Sequence, residues 1–247
     1  MPDKHPLRSI LIASRDSWDR AETPPAIREN FLKIIQCGTS ALGAEVYASE
    51  TERKLVYHTC KSRFCPSCGH RATLLWQEEM DASLPDIPYV NVNFTMPCEL
   101  WPIFRQNRRL WHDLPAVAAA AIQHWVNAKH GARVLLLVVQ QTFGGLLTFH
   151  PHLHVLVSAG GLQESEVRWI SQLRFDKREL MRSWRYAVTA YLARAREACL
   201  IRSNASSDEI RELLEEQYNR SGMSSSGASC QRPGFCVTQE GIFVVPR

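Results

Sequence analysis

The sequence predicts an α+β protein in which a small N-terminal zinc-binding module precedes an antiparallel sheet with flanking helices. Three observations predict it. Residues 58–70, "HTCKSRFCPSCGH", gather three cysteines within nine positions. Residues 88–97, "PYVNVNFTMP", and the later "TFHPHLHVLVSA" alternate with the two-residue period of strands. Residues 177–200 place Leu180, Met181, Trp184, Val188, Tyr191, Leu192 and Ala195 on one helical stripe.

The elements follow in order. "PPAIRENFLKIIQ" (24–36) opens on proline and spaces Ile27, Phe31, Ile34 and Ile35 as a helix does. The cysteine segment follows (37–70), then a helix over 72–84 closed by Pro85. After the strand at 88–97, residues 98–130 read as mostly helical, with an alanine run at 118–121. "RVLLLVVQQTF" (133–143) predicts a buried strand, Gly144 and Gly145 a turn, and 148–159 its antiparallel partner. Ser206 with Glu209 forms a capping box for a helix through "DEIRELLEEQYNR". Beyond residue 220 no periodic pattern is recovered, and no internal repeat is found.

Composition excludes some classes. An apolar fraction of 45% and a charged fraction of 22% over 247 residues describe a globular chain and argue against disorder. The net charge of +4 suits an anionic partner without requiring one. Arginines cluster at Arg105, Arg108 and Arg109 and along 174–202, a distribution suited to phosphate. No apolar run reaches membrane-spanning length, and the N-terminus lacks a secretory core, so a cytoplasmic location is expected. The eight cysteines are therefore read as thiols or metal ligands before disulfides.

Cys65 and Cys68 form a C-x-x-C knuckle, which aims two thiolates at one tetrahedral ion, and Cys60 adds a third. Cys37, His58 and His70 are candidates for the fourth position. Lys61, Arg63 and Arg71 would hold the thiols deprotonated and could meet phosphate. The site is expected to be structural, since no open coordination position is evident. Cys98, Cys199, Cys230 and Cys236 have no matching partners and are read as incidental thiols.

On the strand "HPHLH", residues two apart share a face, so His150, His152 and His154 line one side while Leu153, Val155 and Val157 face the core. Two adjacent imidazoles can hold one ion and leave positions for a third protein ligand, water and substrate. Gln140 or Gln141 could supply that ligand, depending on register. The competing interpretation is a row of surface histidines on a half-exposed strand.

These segments together resemble the two-tyrosine, zinc-module transposases of rolling-circle insertion sequences, the IS91 type, over roughly residues 27–220. The motifs that carry the resemblance are "CGTSALG" (37–43), "HTCKSRFCPSCG" (58–69), "VNFTMP" (92–97) and "QTFGGLLTFHPHLHVLVSAGG" (141–161). The resemblance implies an HUH-endonuclease-like fold in which His152 and His154, flanking Leu153, hold a divalent Mg or Mn ion with Gln141. It implies a structural Zn on Cys37, Cys60, Cys65 and Cys68. The implied partner is single-stranded DNA at insertion-sequence ends, with Arg63, Arg71, Arg182 and Arg185 as expected contacts. The implied chemistry is attack by a tyrosine hydroxyl on a phosphodiester, giving a 5′-phosphotyrosine and a free 3′-hydroxyl.

Two departures from the family pattern stand out. A second cysteine pair usual after the "CGT" stretch is replaced by "YASETERKLVY". The family's tyrosine-pair segment, resembling "FLRYAGRYIRRPP", is absent. Tyr186 and Tyr191 are five apart on a preceding helix, and Tyr218 matches a position that is not the nucleophile. Back-translated and read from the third base of each codon, "GFCVTQEGIFVVPR" permits that segment, with tyrosine codons straddling Val237/Thr238 and Gly241/Ile242.

The organisation expected is therefore a zinc module over 1–84, an incomplete catalytic domain over 85–220, and an irregular, frameshifted tail over 221–247. A transposase lacking its nucleophile is the first expectation. A non-catalytic DNA-binding regulator of an intact relative is the second, and a metallohydrolase using His150, His152 and His154 the third.

Overall fold

The computed structural model describes residues 6–144, 148–163, 165, 167–219 and 235–244. The chain divides into two compact units, Met1–Pro85 and Asp86–Arg247.

The first unit contains helices α1 (Pro6–Ala13), α2 (Arg15–Trp18) and α3 (Pro25–Gln36), a hairpin of β1 (Ala44–Ala48) and β2 (Arg53–Tyr57), and helix α4 (Pro66–Ser83). Proline starts both α3 and α4 at the first helical position, where no amide donor is needed. Helix α4 thus begins on the cysteine knuckle itself, not at residue 72. The buried cluster of this unit is Leu11, Ile34, Cys37 and Cys65, joined by Leu7, Phe31, Ile35, Cys60 and Cys68. The hairpin adds nothing to it: Val46 is 64% exposed and Leu55 52%. Sulfur occupies the place where a small domain would need more hydrocarbon.

The second unit comprises β3 (Pro88–Thr95), α5 (Trp101–Gln106), α6 (Arg108–His130), β4 (Leu136–Phe143), β5 (Phe149–Ser158), β6 (Gly161–Gln163), β7 (Arg168–Ile170), α7 (Lys177–Glu197), α8 (Ser207–Asn219) and β8 (Cys236–Val244). Four strands form one antiparallel sheet in the order β4-β5-β3-β8. Alternation sorts the two faces. Val90, Val92, Phe94, Leu153, Val155 and Val157 are buried on one, where Trp184 of α7 stacks on Phe94 with centroids 4.8 Å apart. The Trp184 indole N–H donates to the Thr95 carbonyl at 2.8 Å, so its polar atom is satisfied inside the core.

Helix α6 carries Pro115 in its interior. Proline has no N–H for the carbonyl four residues back, at Trp111. Gln140 Nε2 donates to that carbonyl at 2.5 Å, tying the helix to β4. Gly131 ends α6 at φ 59°, the left-handed conformation glycine adopts without strain. Asp176 caps α7 by accepting from the amides of Arg178 and Glu179. The capping box at α8 is complete: Ser206 N–H donates to Glu209 at 2.7 Å and Glu209 N–H to Ser206 Oγ at 3.2 Å.

Two expectations are corrected. The segment 133–143 is not a buried strand; β4 lies at a sheet edge among the described residues, with Val139 40% exposed. The tail is not irregular throughout. Residues 220–234 and 245–247 lie outside the described residues, but β8 pairs with β3 from Pro88↔Val244 to Thr95↔Cys236, and Phe235 and Val237 join the core. Backbone pairing along β3 and burial of Val237 supply an order that a search for apolar periodicity did not detect.

Candidate metal centres

In the first unit the Sγ atoms of Cys37, Cys60, Cys65 and Cys68 all lie within 4.8 Å of one another. Cys37 and Cys68 are 3.6 Å apart, Cys60 and Cys68 3.7 Å. A tetrahedral zinc site with Zn–S bonds of about 2.3 Å requires sulfur–sulfur edges of about 3.8 Å. The donor set therefore fits zinc. The fourth member of the cluster is Cys37, at the C-terminal end of α3, and neither His58 nor His70 belongs to it.

Backbone amides hold the sulfurs. Cys60 N–H donates to Cys37 Sγ at 3.4 Å. Burial pushes the Cys60 thiol up to about 12, against a hydrogen bond from the Ser62 backbone, and burial likewise raises Cys37. At Cys68 burial also acts upward, but hydrogen bonds from Cys37, the Lys61 backbone and Cys60 outweigh it and leave that thiol below its ordinary value. The lowering comes first from the Cys37 sulfur and then from the peptide N–H at Lys61, with no basic side chain among its causes. Lys61 sits at φ 53°. Gly69 is required for a different reason, since a Cβ there would lie 2.5 Å from the Arg63 carbonyl. Arg63 and Arg71 are both exposed beside this knuckle.

In the second unit, β5 presents His150, His152 and His154 on the face opposite the core, each half-buried. Register settles the choice of glutamine. Gln141 pairs with His152 on the histidine face, whereas Gln140 pairs with Leu153 on the core face. Gln141 Oε1 lies 2.8 Å from His154 Nε2. That separation suits a hydrogen bond, and also suits two ligands on adjacent corners of an octahedron, where bonds of about 2.1 Å give an edge of about 3.0 Å. His152 Nδ1 sits 2.7 Å from the His150 carbonyl. With the proton on Nδ1 for that bond, Nε2 keeps its lone pair for a metal.

His150 differs from the other two. Its ring packs between Trp101, at 5.1 Å, and His152, at 4.9 Å, and burial followed by the neighbouring His152 lowers its pKa. Sequence reasoning missed one neighbour: Asn93 of β3 stands directly across from His154. Its Oδ1 is buried with no hydrogen-bond partner. An orphaned acceptor beside two imidazoles fits a cation site. The repeated asparagines on the polar face of "VNVNFT" were the available signal.

The structure does not gather all expected residues here. Arg182 and Arg185 lie on α7, whose Trp184 packs on the opposite face of the sheet. Arg105 of α5 is the guanidinium at the histidine strand, 6.0 Å from the Phe149 ring centroid. The tyrosines of α7 are engaged elsewhere. Tyr186 packs on Tyr218 with centroids 4.7 Å apart. Tyr191 donates toward Asp113 and the Leu110 carbonyl, and burial followed by Asp113 pushes it up to about 12.

Comparison with known proteins agrees with this arrangement. Residues 11–96 match a family described as a transposase zinc-binding domain, and residues 136–232 match one described as a putative transposase. The chain is 36% identical over 195 residues to the transposase for insertion sequence element IS801 of Pseudomonas savastanoi pv. phaseolicola, covering 76% of this chain and 47% of that protein. It is 34% identical over 151 residues to the putative transposase y4qJ of Sinorhizobium fredii (strain NBRC 101917 / NGR234), covering 59% of this chain and 38% of the other. The chain thus spans about half or less of the length of these relatives. No solved structure matches it significantly. The four-cysteine cluster thus lies within the segment similar to the transposase zinc-binding family, and the histidine strand within the segment similar to the putative-transposase family.

Proposed function

We propose that this chain supplies the metal-binding half of a single-strand DNA nicking and joining site. The observation that carries the proposal is the convergence of His154 Nε2 and Gln141 Oε1 at 2.8 Å beside His152, whose second ring nitrogen is engaged by a backbone carbonyl. A divalent Mg or Mn ion at such a site supplies positive charge to a scissile phosphate. His152, His154 and Gln141 would hold it, and Asn93 would offer an amide oxygen from the neighbouring strand. In the reaction, a phenolic oxygen forms a bond to phosphorus, the phosphorus–O3′ bond breaks, and the strand leaves as a 3′-hydroxyl.

We assign the nucleophile to none of the six tyrosines present in this chain. Tyr47 and Tyr57 lie on the hairpin of the zinc unit, Tyr89 is fully buried, and Tyr186, Tyr191 and Tyr218 are engaged as described. That observation favours a second function, a metal-dependent single-strand DNA-binding protein that regulates an intact relative. A shifted frame after codon 220 would account for a missing tyrosine pair. The pairing of β8 weighs against a shift, and the coding DNA decides. Incubating the chain with single-stranded insertion-sequence ends and Mn²⁺ should give binding without a covalent adduct on a denaturing gel. An adduct would overturn the exclusion of the six tyrosines, and failure to bind Mn²⁺ would overturn the metal site.

A further inference from the structure

A cavity of about 730 Å³ lies where the start of α6 meets the end of α7 and the segment after it. Arg108, Arg109, Arg194 and Arg202 line it, and all four are exposed. Among the described residues no carboxylate lies within ion-pair distance of any of them. The single acid in the lining, Asp113, is turned to the Tyr191 hydroxyl at 3.4 Å and to His112 at 3.6 Å. Four uncompensated guanidiniums around one concavity repel one another, and a polyanion removes that cost.

The cavity is built, not incidental. Asn107 is 7% exposed and clamps its two walls together. Its Nδ2 donates to the Arg202 carbonyl at 2.8 Å, and its Oδ1 accepts from Arg202 N–H at 2.8 Å. The same Nδ2 donates to the Ile103 carbonyl of α5. Helix α5 then leads to the metal face: Trp101 at its start packs on His150, and Arg105 lies over Phe149. A six-residue helix is about 9 Å long, a span that a few nucleotides of single strand can bridge.

We propose that this cavity binds phosphates of single-stranded DNA a few nucleotides from the phosphate at His152 and His154, with Arg105 between the two sites. The inference rests on the proposed function for its substrate class, but its residues are separate from the metal ligands. A single strand is favoured because its phosphates can turn from the flat histidine face, around α5, into a concave pocket.

The test uses the full chain, a twenty-nucleotide oligothymidine, and fluorescence anisotropy over a range of salt. Replacing Arg108→Gln, Arg109→Gln, Arg194→Gln and Arg202→Gln together should lower the slope of log affinity against log salt by about 2 to 3, since each single-strand phosphate contact contributes about 0.7. The corresponding four Arg→Lys changes should retain the slope, which separates lost charge from lost folding. Mn²⁺ binding, followed by electron paramagnetic resonance, should be unchanged in both variants. His152→Ala with His154→Ala should lose Mn²⁺ and lower the slope by no more than one phosphate contact, about 0.7. An unchanged slope in the glutamine variant overturns the cavity while leaving the metal site standing. Loss of the slope in the lysine variant, or tighter binding of a duplex of equal length, also overturns it. Failure of the wild type to bind Mn²⁺ overturns the metal site alone.

Discussion

The two candidate metal centres are built on opposite principles. In the first unit, four cysteine sulfurs lie within 4.8 Å of one another and form part of the buried cluster, so the coordination sphere is closed. In the second unit, two imidazoles and an amide oxygen sit half-exposed on one face of a sheet whose stability comes from the other face. The first centre is the core of its unit; the second is attached to a core that would stand without it. Under the proposed function, metal would be needed to fold the first and only to operate the second.

Predictions that test this contrast can be ranked by size. Stripping zinc with a strong chelator should unfold the first unit, because structural zinc sites are worth roughly 10–16 kcal/mol at neutral pH. Calorimetry of the full chain should then show loss of one transition with the sheet transition preserved; joint loss of both would break the comparison. Cys65→Ser should act in the same direction. Trp184→Ala, in the sheet core, should cost about 3–5 kcal/mol and leave zinc content unchanged.

Ligand changes at the sheet should behave differently. His154→Ala should reduce Mn²⁺ affinity by more than the roughly 10–100-fold typical of an outer-shell change, with little change in melting temperature. Asn93→Leu sharpens the point: removing a buried unsatisfied acceptor should be neutral or stabilise the metal-free chain by about 1 kcal/mol. The same change should weaken Mn²⁺ binding about tenfold if Oδ1 faces the ion, as isothermal titration would read.

The smallest effect is a pH dependence at the start of α7. The amides of Glu179 and Arg178 hold the Asp176 carboxyl below its ordinary value, so its contribution is present above the unfolded pKa and lost as pH falls through the lower folded one. Asp176→Ala should lower the sheet melting temperature slightly at neutral pH, a difference that closes as pH falls through the lowered folded-state value.

How much was legible beforehand follows the same division. The knuckle Cys65–Cys68, the pairing of β4 with β5 and the stripe on α7 could be read because spacing maps directly onto geometry. The histidine row was legible for the same reason. Cys37 was one candidate among three, because its place depends on where α3 ends against the knuckle. Asn93 was missed because its importance lies in a missing partner, which only cross-strand register reveals. The hairpin of β1 and β2 was missed because it buries almost nothing, and β8 because it pairs with a strand far away in the sequence, Cys236 against Thr95.

That last strand has a consequence for how the molecule behaves in company. β3 carries Val90, Val92 and Phe94, and with β8 in place its second row of amides and carbonyls is occupied along its length. Without β8 that row would form an open edge on a strand with a fully buried apolar face, a template on which another copy could add itself. The final described residues thus act as a guard against self-association. A chain cut before residue 235 should lose solubility before it loses its ability to hold metal.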